Sequence, residues 1–180
     1  CGTEGGCPIK VYGENFGPMK VSSLKVYVGS EDQFGQNECK RLKLVNSTLL
    51  ECIAPAGIGV DQSVTVFLKG RTSPPNAAFT YFAPIVSRVS VLHGPPSGST
   101  TLTVYWKYFG KSDNGQTIEL GYQKPNSKTK STVVKCENTK WMSDSMMTCR
   151  TPAAEGFDLA VVAKIGGQYS DTESSPQLFS

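Results

Sequence analysis

Alternating apolar and polar residues predict a chain built almost entirely of β-strands. Residues 101–106 read Thr-Leu-Thr-Val-Tyr-Trp, and residues 64–69 show a similar period of two. Successive side chains of a strand point to opposite faces, so this period is typical of strands with one buried face. No stretch has the apolar spacing of an amphipathic helix, and turn signals at residues 55–57 and 113–115 separate the strands. The pattern predicts an all-β fold.

One sequence unit occurs twice. Cys39 is followed thirteen residues later by Cys52, and Cys136 thirteen residues later by Cys149; the second cysteines begin the related phrases Cys-Ile-Ala-Pro-Ala and Cys-Arg-Thr-Pro-Ala. The shift of ninety-seven residues that aligns these pairs also lays Phe82 on Phe179. Self-similarity at this period predicts two domains, residues 1–83 and 84–180, each of a size that folds independently.

The six cysteines indicate disulfides. Equivalent residues in two copies of a fold should form equivalent bonds, which predicts Cys39–Cys52 and Cys136–Cys149. Cys1 and Cys7 have no counterparts in the second copy; they either bond to each other across a glycine-rich loop or to chain upstream of Cys1. Disulfides persist in oxidising compartments, so we expect an extracellular protein. Short strands and one such bridge per domain are typical of an immunoglobulin-like β-sandwich.

The triplet Asn46-Ser47-Thr48 has the form of an N-glycosylation signal. One such triplet is expected by chance in a chain of this composition, so its position is the stronger argument. It falls between Cys39 and Cys52, where the pattern predicts a hairpin tip. A glycan requires an exposed site of this kind, and we therefore expect Asn46 to be glycosylated.

Composition and charge exclude several classes of protein. The chain is 38% hydrophobic, which is too apolar for disorder, yet no apolar run approaches the roughly twenty residues of a membrane span. The net charge of +3 is weak for a nucleic-acid-binding protein. The one local basic excess consists of Lys124, Lys128, Lys130 and Lys135. It is either a solvated hairpin or a contact for acidic glycans or an acidic partner.

Catalytic and metal-binding motifs are not found in the sequence. There is no G-x-S-x-G, no H-E-x-x-H, no phosphate-binding glycine loop and no C-x-x-C, and His93 is the single histidine. The short acidic groups fall in predicted turns and do not offer the six to eight oxygen ligands of a calcium site. We therefore expect no enzyme activity, no metal and no cofactor.

Several segments together resemble the IPT/TIG domain, the immunoglobulin-like fold of plexins, Met-type receptors and some transcription factors. In the first copy these are residues 5–6 (GG), 9–17 (IKVYGENFG), 26–29 (VYVG), 52–57 (CIAPAG) and 79–81 (FTY). The second copy matches more loosely, at residues 84–86, 94–100, 108–110 and 149–153. The resemblance spans nearly the whole chain. It also implies that the first copy lacks an opening strand, which the second has near residues 84–91, and that the segment begins inside a longer array.

What the resemblance implies for function is a non-catalytic recognition or adhesion module of a larger cell-surface or secreted protein. The expected partner is a protein ectodomain, of the same or a different protein, with cell–cell recognition as one role. The alternative is an accessory carbohydrate-binding domain of a secreted enzyme. It would need a row of exposed aromatic residues, for which Tyr105, Tyr108 and Tyr122 are the candidates. The DNA-binding branch of the family disagrees with the paired cysteines and the weak charge.

Aromatic residues near the front of the second copy are the candidate partner contacts. At the front of the two copies the aligning shift is ninety-three residues, so Trp106 stands where the first copy has Gly13, with Tyr105 and Tyr108 close by. Its register points inward, which favours a core position, but a tryptophan replacing a glycine near the surface could instead anchor a partner.

Overall fold

The computed structural model describes residues 1–17, 23–30, 37–121, 133–154, 159–170 and 178–179. The chain divides into two compact units, Cys1–Phe82 (unit 1) and Ala83–Ser180 (unit 2). The sequence-based boundary lies one residue later, after Ala83. Within the described ranges the regular structure consists of β-strands, with no helix.

Unit 1 contains two antiparallel sheets. Its strands are β1 (Pro8–Tyr12), β2 (Leu24–Val28), β3 (Lys40–Asn46), β4 (Leu49–Ile53), β5 (Gln62–Leu68), β6 (Arg71–Thr72) and β7 (Asn76–Phe79). One sheet has the order β1-β4-β3 and the other the order β2-β5-β6, with β7 also paired to β5. The buried core includes Val26 and Val66 from the second sheet and Leu50 from the first, so the sheets pack face to face.

Unit 2 repeats this arrangement and has one more strand at its start. Its strands are β8 (Ile85–Val89), β9 (Thr101–Lys107), β10 (Thr117–Leu120), β11 (Val134–Lys135), β12 (Glu137–Ser143), β13 (Met146–Arg150), β14 (Leu159–Ile165), β15 (Gln168–Tyr169) and β16 (Leu178–Phe179). The sheet orders are β12-β13-β9-β8 and β11-β10-β14-β15, with β16 also paired to β14. The alternation read from residues 101–106 is present: Leu102, Val104 and Trp106 are buried.

Three disulfides close local loops. Cys39–Cys52 and Cys136–Cys149 are the pairs that the repeat predicts, and Cys1–Cys7 takes the local one of the two alternatives left open. Cys39 and Cys52 both belong to the buried core of unit 1. A covalent link between two buried cysteine side chains limits the freedom of the unfolded chain, which is a large contribution to stability for domains this small.

The cysteine-proline phrase of each copy packs against a glycine near the front of its unit. Gly5 and Gly98 both have φ of 74°, and a Cβ at either position would overlap the backbone of Pro55 or Pro152. Only glycine combines this left-handed conformation with so close an approach. The contact explains why glycine and the phrase ending in proline occur together in both copies.

The last aligned pair of the repeat needs correction. Strand pairing matches Phe79 with Gln62 in unit 1, and Phe179 with Leu159 in unit 2. Gln62 and Leu159 are the first residues of β5 and β14. Phe179 is therefore the counterpart of Phe79 and not of Phe82, because the connection that precedes the last strand differs in length between the units.

Candidate functional site

The side chain of Trp106 lies in the core of unit 2. It is 3% exposed, and its ring packs against Phe109 with the centroids 4.5 Å apart. In unit 1 the ring of Phe16 lies so close to Gly13 that a Cβ there would overlap it. The tryptophan therefore fills interior space, which removes Trp106 from the candidate contact residues.

Tyr108 lies at a corner that both units share. It is half-buried and has φ of 74°, while Asn15 at the same place in unit 1 has φ of 62°. This left-handed region is uncommon for residues other than glycine, and asparagine tolerates it better than tyrosine. The left-handed backbone conformation of this corner therefore determines the position of Tyr108.

Main-chain hydrogen bonds hold this corner against the tip of the cysteine hairpin. In unit 1 the amides of Gly13 and Phe16 donate to the carbonyl oxygens of Thr48 and Ser47, both at 3.0 Å. In unit 2 the amides of Trp106 and Phe109 donate to Ser145 and Asp144, both at 3.1 Å. Each hairpin tip is thereby bound at two points.

Tyr105 lies on the outer face of the sheet β12-β13-β9-β8. Its neighbours Val104 and Trp106 are buried, so the Tyr105 side chain points the other way. The guanidinium carbon of Arg88 stands 4.1 Å from the centroid of the Tyr105 ring. This is a cation–π contact, worth about 0.5–1 kcal/mol at an exposed site. Sequence reasoning missed Arg88 because the contact depends on the pairing of β8 with β9.

The same face carries further residues suited to a contact. The register places Arg88, Tyr105 and Met146 side by side on three adjacent strands, and Ile85 opposite Lys107. Ile85 is 46% exposed. We call Arg88, Tyr105, Met146, Ile85 and Lys107 the Tyr105 face. Lys124, Lys128 and Lys130 lie outside the described residues.

Asn46 is exposed at the end of β3, and Ser47 and Thr48 form the turn. Its Oδ1 accepts hydrogen bonds from the amide and the hydroxyl of Thr48, each at 2.9 Å. Strand register places Tyr12, Leu49 and Asn46 in one row across β1, β4 and β3. A glycan on Asn46 would leave from the exposed tip of the hairpin, next to this row.

Unit 1 has a groove along β1. Its volume is about 590 Å³. The lining is apolar at Ile9, Val11, Phe16, Val64, Val66, Pro74 and Phe79, with Lys10, Glu14, Ser73 and Asn76 among its polar residues. The hydrophobic pattern of the sequence does not predict this groove, because the apolar residues that line it have the same spacing as core residues.

Over the ranges given above, no group of three or more histidine, cysteine, aspartate or glutamate side chains could hold a metal ion. In the same ranges no helix is long and apolar enough to cross a membrane.

Comparison with known structures gives distant similarity. The full extracellular region of plexin A4 is 18% identical over 99% of this chain, with a TM-score of 0.44, and a second plexin A4 structure is 17% identical over 99%, with a TM-score of 0.37. SGBP-B from a complex xyloglucan utilization locus in Bacteroides uniformis is 19% identical over 98%, with a TM-score of 0.39. The chain spans 17%, 14% and 46% of the chains in these three structures.

A family model covers both units. The IPT/TIG domain matches residues 1–81 and again residues 84–180. IPT/TIG domains are non-catalytic, immunoglobulin-like modules found in extracellular proteins. The two matches agree with the two sandwiches of antiparallel strands and their repeated cysteine hairpins. The chain belongs to the IPT/TIG domain family, of which it contains two tandem copies.

Proposed function

We propose that this chain is a non-catalytic recognition module of an extracellular protein and that it binds a protein partner through the Tyr105 face of unit 2. The observation that carries the proposal is the stacking of Arg88 on Tyr105, on an outer sheet face that also bears Met146. Tyrosine, methionine and arginine are enriched at protein interfaces. Three disulfides support an oxidising, extracellular location.

The stacked pair suits binding in two ways. Because Arg88 and Tyr105 already restrain each other, less side-chain entropy is lost when a partner covers them. Arg88 and Lys107 also give the face positive charge, which favours an acidic partner surface and speeds association. The partner class is an ectodomain with an acidic, partly apolar patch, on the same or a different protein.

The carbohydrate-binding alternative fits this face less well. Sugar rings stack on the flat faces of exposed aromatic side chains, and the guanidinium of Arg88 covers one face of the Tyr105 ring. Tyr108 is half-buried, and Tyr122 lies outside the described residues. Neutral and sulfated oligosaccharides are therefore included in the test as competing ligands.

The test is binding of a fluorescent, tetramerised form of the full chain to cells and to beads coated with the same chain. The variant Arg88→Ala with Tyr105→Ala should lose at least about tenfold in apparent affinity, the scale of a single interface hot spot. The matched control is Lys164→Ala with Tyr169→Ala, because Lys164 also stands over a tyrosine ring, at 5.2 Å, but in the other sheet of unit 2.

Equal binding by both double variants would contradict the proposed face. Absence of binding to any cell or coated bead would contradict a recognition role. If oligosaccharides bind the chain and compete with its binding to cells, the carbohydrate-binding alternative would be supported instead. Circular dichroism of both variants should match that of the parent chain, since all four side chains lie at the surface.

A further inference from the structure

The strand β3 of unit 1 carries a cluster of cations. Lys40, Arg41 and Lys43 are all exposed and lie close together in the sequence. β3 is the last strand of the sheet β1-β4-β3, so no described strand covers its free side. Among the residues that the structure describes, none forms an ion pair with these three side chains. We call Lys40, Arg41 and Lys43 the β3 patch.

A β-bulge turns Arg41 outward. Between two successive register pairs β3 has one residue more than β4, and Arg41 in this stretch has φ of 52°. In a regular strand Arg41 would share the inward face with Cys39, which is buried. The extra residue gives the inward direction to Leu42 instead, which packs against the core. Lys40 and Arg41 are therefore adjacent and both exposed.

The register extends the positive charge across the outer face of the sheet. Lys43 lies opposite Glu51, and Glu51 lies opposite Lys10. The Nζ of Lys10 stands 3.7 Å from a carboxylate oxygen of Glu51. Lys10 therefore compensates this carboxylate, and the β3 patch keeps its own positive charge. The register also separates Lys40 from Lys43 by about 7 Å along the strand.

Protection of a sheet edge does not account for this charge. Charged side chains on an edge strand prevent unwanted strand pairing. The counterpart of β3 in unit 2 is β12, which is also the last strand of its sheet and has a bulge at the same place. There the residues aligned with Lys40 and Arg41 are Glu137 and Asn138, both exposed. An edge of this fold is thus protected without a run of cations.

We propose that the β3 patch binds the sulfate groups of an acidic polysaccharide. Short segments rich in lysine and arginine form heparin-binding patches, and the fork of an arginine side chain donates paired hydrogen bonds to anionic oxygens. Three disulfides indicate an oxidising, extracellular compartment, where sulfated polysaccharides are abundant polyanions. Anionic lipids concentrate in the cytoplasmic leaflet of a membrane, so a lipid surface fits this location less well.

The experiment measures the affinity of the full chain for immobilised heparin by surface plasmon resonance. All proteins carry Asn46→Gln, because a glycan there would lie three residues beyond Lys43 on the same strand. The test variant combines Lys40→Gln, Arg41→Gln and Lys43→Gln. It should lose at least about tenfold in affinity, because three ionic contacts to a polyanion are removed.

The matched control removes three exposed cations from unit 2, with Lys111→Gln, Lys140→Gln and Arg150→Gln. It lowers the net charge of the chain by the same amount as the test variant. Its affinity should stay within about twofold of the parent value, because exposed charges that do not contact the ligand are largely screened by salt. Circular dichroism of both variants should match that of the parent chain, since all the replaced side chains are exposed.

Glu51→Gln gives a second test, in which binding should increase. Removing this carboxylate frees Lys10 and leaves more positive charge beside Lys43. The affinity for heparin should rise about threefold, on the scale of one exposed ion pair. A misfolded variant would not produce such a gain. The control is Glu137→Gln, an exposed carboxylate of unit 2 that should leave the affinity unchanged.

Four results would overturn the proposal. An unchanged test variant would reduce the β3 patch to edge protection, and equal losses in test and control would leave only an effect of net charge. Loss confined to Lys124→Gln, Lys128→Gln and Lys130→Gln would move the site to that stretch of unit 2. Equal binding to unsulfated hyaluronan, or to vesicles containing phosphatidylserine, would overturn the ligand class.

The inference is independent of the partner-binding role proposed for the Tyr105 face. Arg88→Ala with Tyr105→Ala should bind heparin as the parent chain does. Loss of heparin binding in that double variant would contradict the assignment to the β3 patch. Failure of the Tyr105 face in the cell-binding test leaves the heparin measurement unaffected, so the two proposals can fail separately.

Discussion

The hydroxyl of Tyr81 donates a hydrogen bond to the carbonyl oxygen of Pro55 across 3.0 Å, although 26 residues separate them in sequence. Tyr81 is 1% exposed, and its ring meets Phe79 edge-on at 5.0 Å. The bond ties the end of unit 1 to the phrase that follows Cys52. Pro55 is also the residue whose backbone lies against Gly5, so one short segment organises both ends of the unit.

Tyr81→Phe should destabilise unit 1 by about 1–3 kcal/mol, because the buried carbonyl of Pro55 loses its partner while the packing of the ring is kept. Urea unfolding of the full chain measures this loss. Tyr12→Phe is the matched control, since Tyr12 is 73% exposed and should change the free energy of unfolding by less than about 0.5 kcal/mol. Equal losses in the two variants would contradict the role of the hydrogen bond.

Alkaline pH should weaken unit 1 through the same residue. Burial raises the pKa of Tyr81 to about 12, whereas a tyrosine in an unfolded chain has a pKa of about 10. The folded state holds the proton more tightly, so this stabilisation is fully present below about pH 10 and is lost as the pH rises through about 12. The stability gap between the parent chain and Tyr81→Phe should therefore narrow over that range. Thermal unfolding of both chains at a series of pH values measures this difference in stability. A difference that stays constant between about pH 10 and pH 12 would contradict the raised pKa of Tyr81.

Trp106→Ala should destabilise unit 2 by about 3–5 kcal/mol, the usual cost of removing a large buried aromatic side chain. Trp106→Phe should lower the free energy of unfolding clearly less, because the Nε1 of Trp106 forms no hydrogen bond with any residue that the structure describes. Met142→Ala is the control, since Met142 is 52% exposed. Thermal unfolding followed by circular dichroism ranks the three variants. An alanine variant as stable as the Met142 control would mean that Trp106 is not a core residue in solution.

Asn46 should carry a glycan when the chain is secreted by a eukaryotic cell, because its triplet lies at an exposed hairpin tip. Intact-mass spectrometry before and after enzymatic removal of N-glycans measures the mass of this glycan. Asn46→Gln should abolish the added mass. It should lower the free energy of unfolding by no more than about 1 kcal/mol, because the hydrogen bonds from Thr48 to the Asn46 Oδ1 are exposed. Secreted chain with an unmodified Asn46 would refute the prediction.

Much of the fold could be predicted because both copies of the repeat are subject to the same physical constraints. Gly5 and Pro55 recur as Gly98 and Pro152, and the same close contact requires them in both units. Strand alternation likewise follows from one buried face, which is a local property of the sequence. The alignment of Phe179 with Phe82 is wrong, because matching by residue type carries no information about the length of the connection that precedes β16.

The candidate contacts were harder to predict because they depend on pairing across strands. Tyr105 is visible in the sequence, but its neighbour Arg88 comes from a different strand and reaches it only through the register of β8 and β9. Trp106 could be placed inside or outside from its sequence alone. In the structure its side chain points inward and packs against the ring of Phe109, which places it in the core. The groove depends on which side of β1 is paired, which no local pattern records.

In both units two main-chain hydrogen bonds hold the hairpin tip to the corner, and in unit 2 the carboxylate of Asp144 also accepts one from the amide of Gly110 at 2.6 Å. Because the shared bonds use main-chain atoms, the side chains of the tip are open to evolutionary change. The tip reads Asn46-Ser47-Thr48 in unit 1 and Ser143-Asp144-Ser145 in unit 2, yet the two main-chain bonds to the corner are the same. A glycosylation triplet can therefore arise or disappear at this position at little structural cost. Tandem copies of such a module can diverge in their surface decoration while one scaffold is preserved.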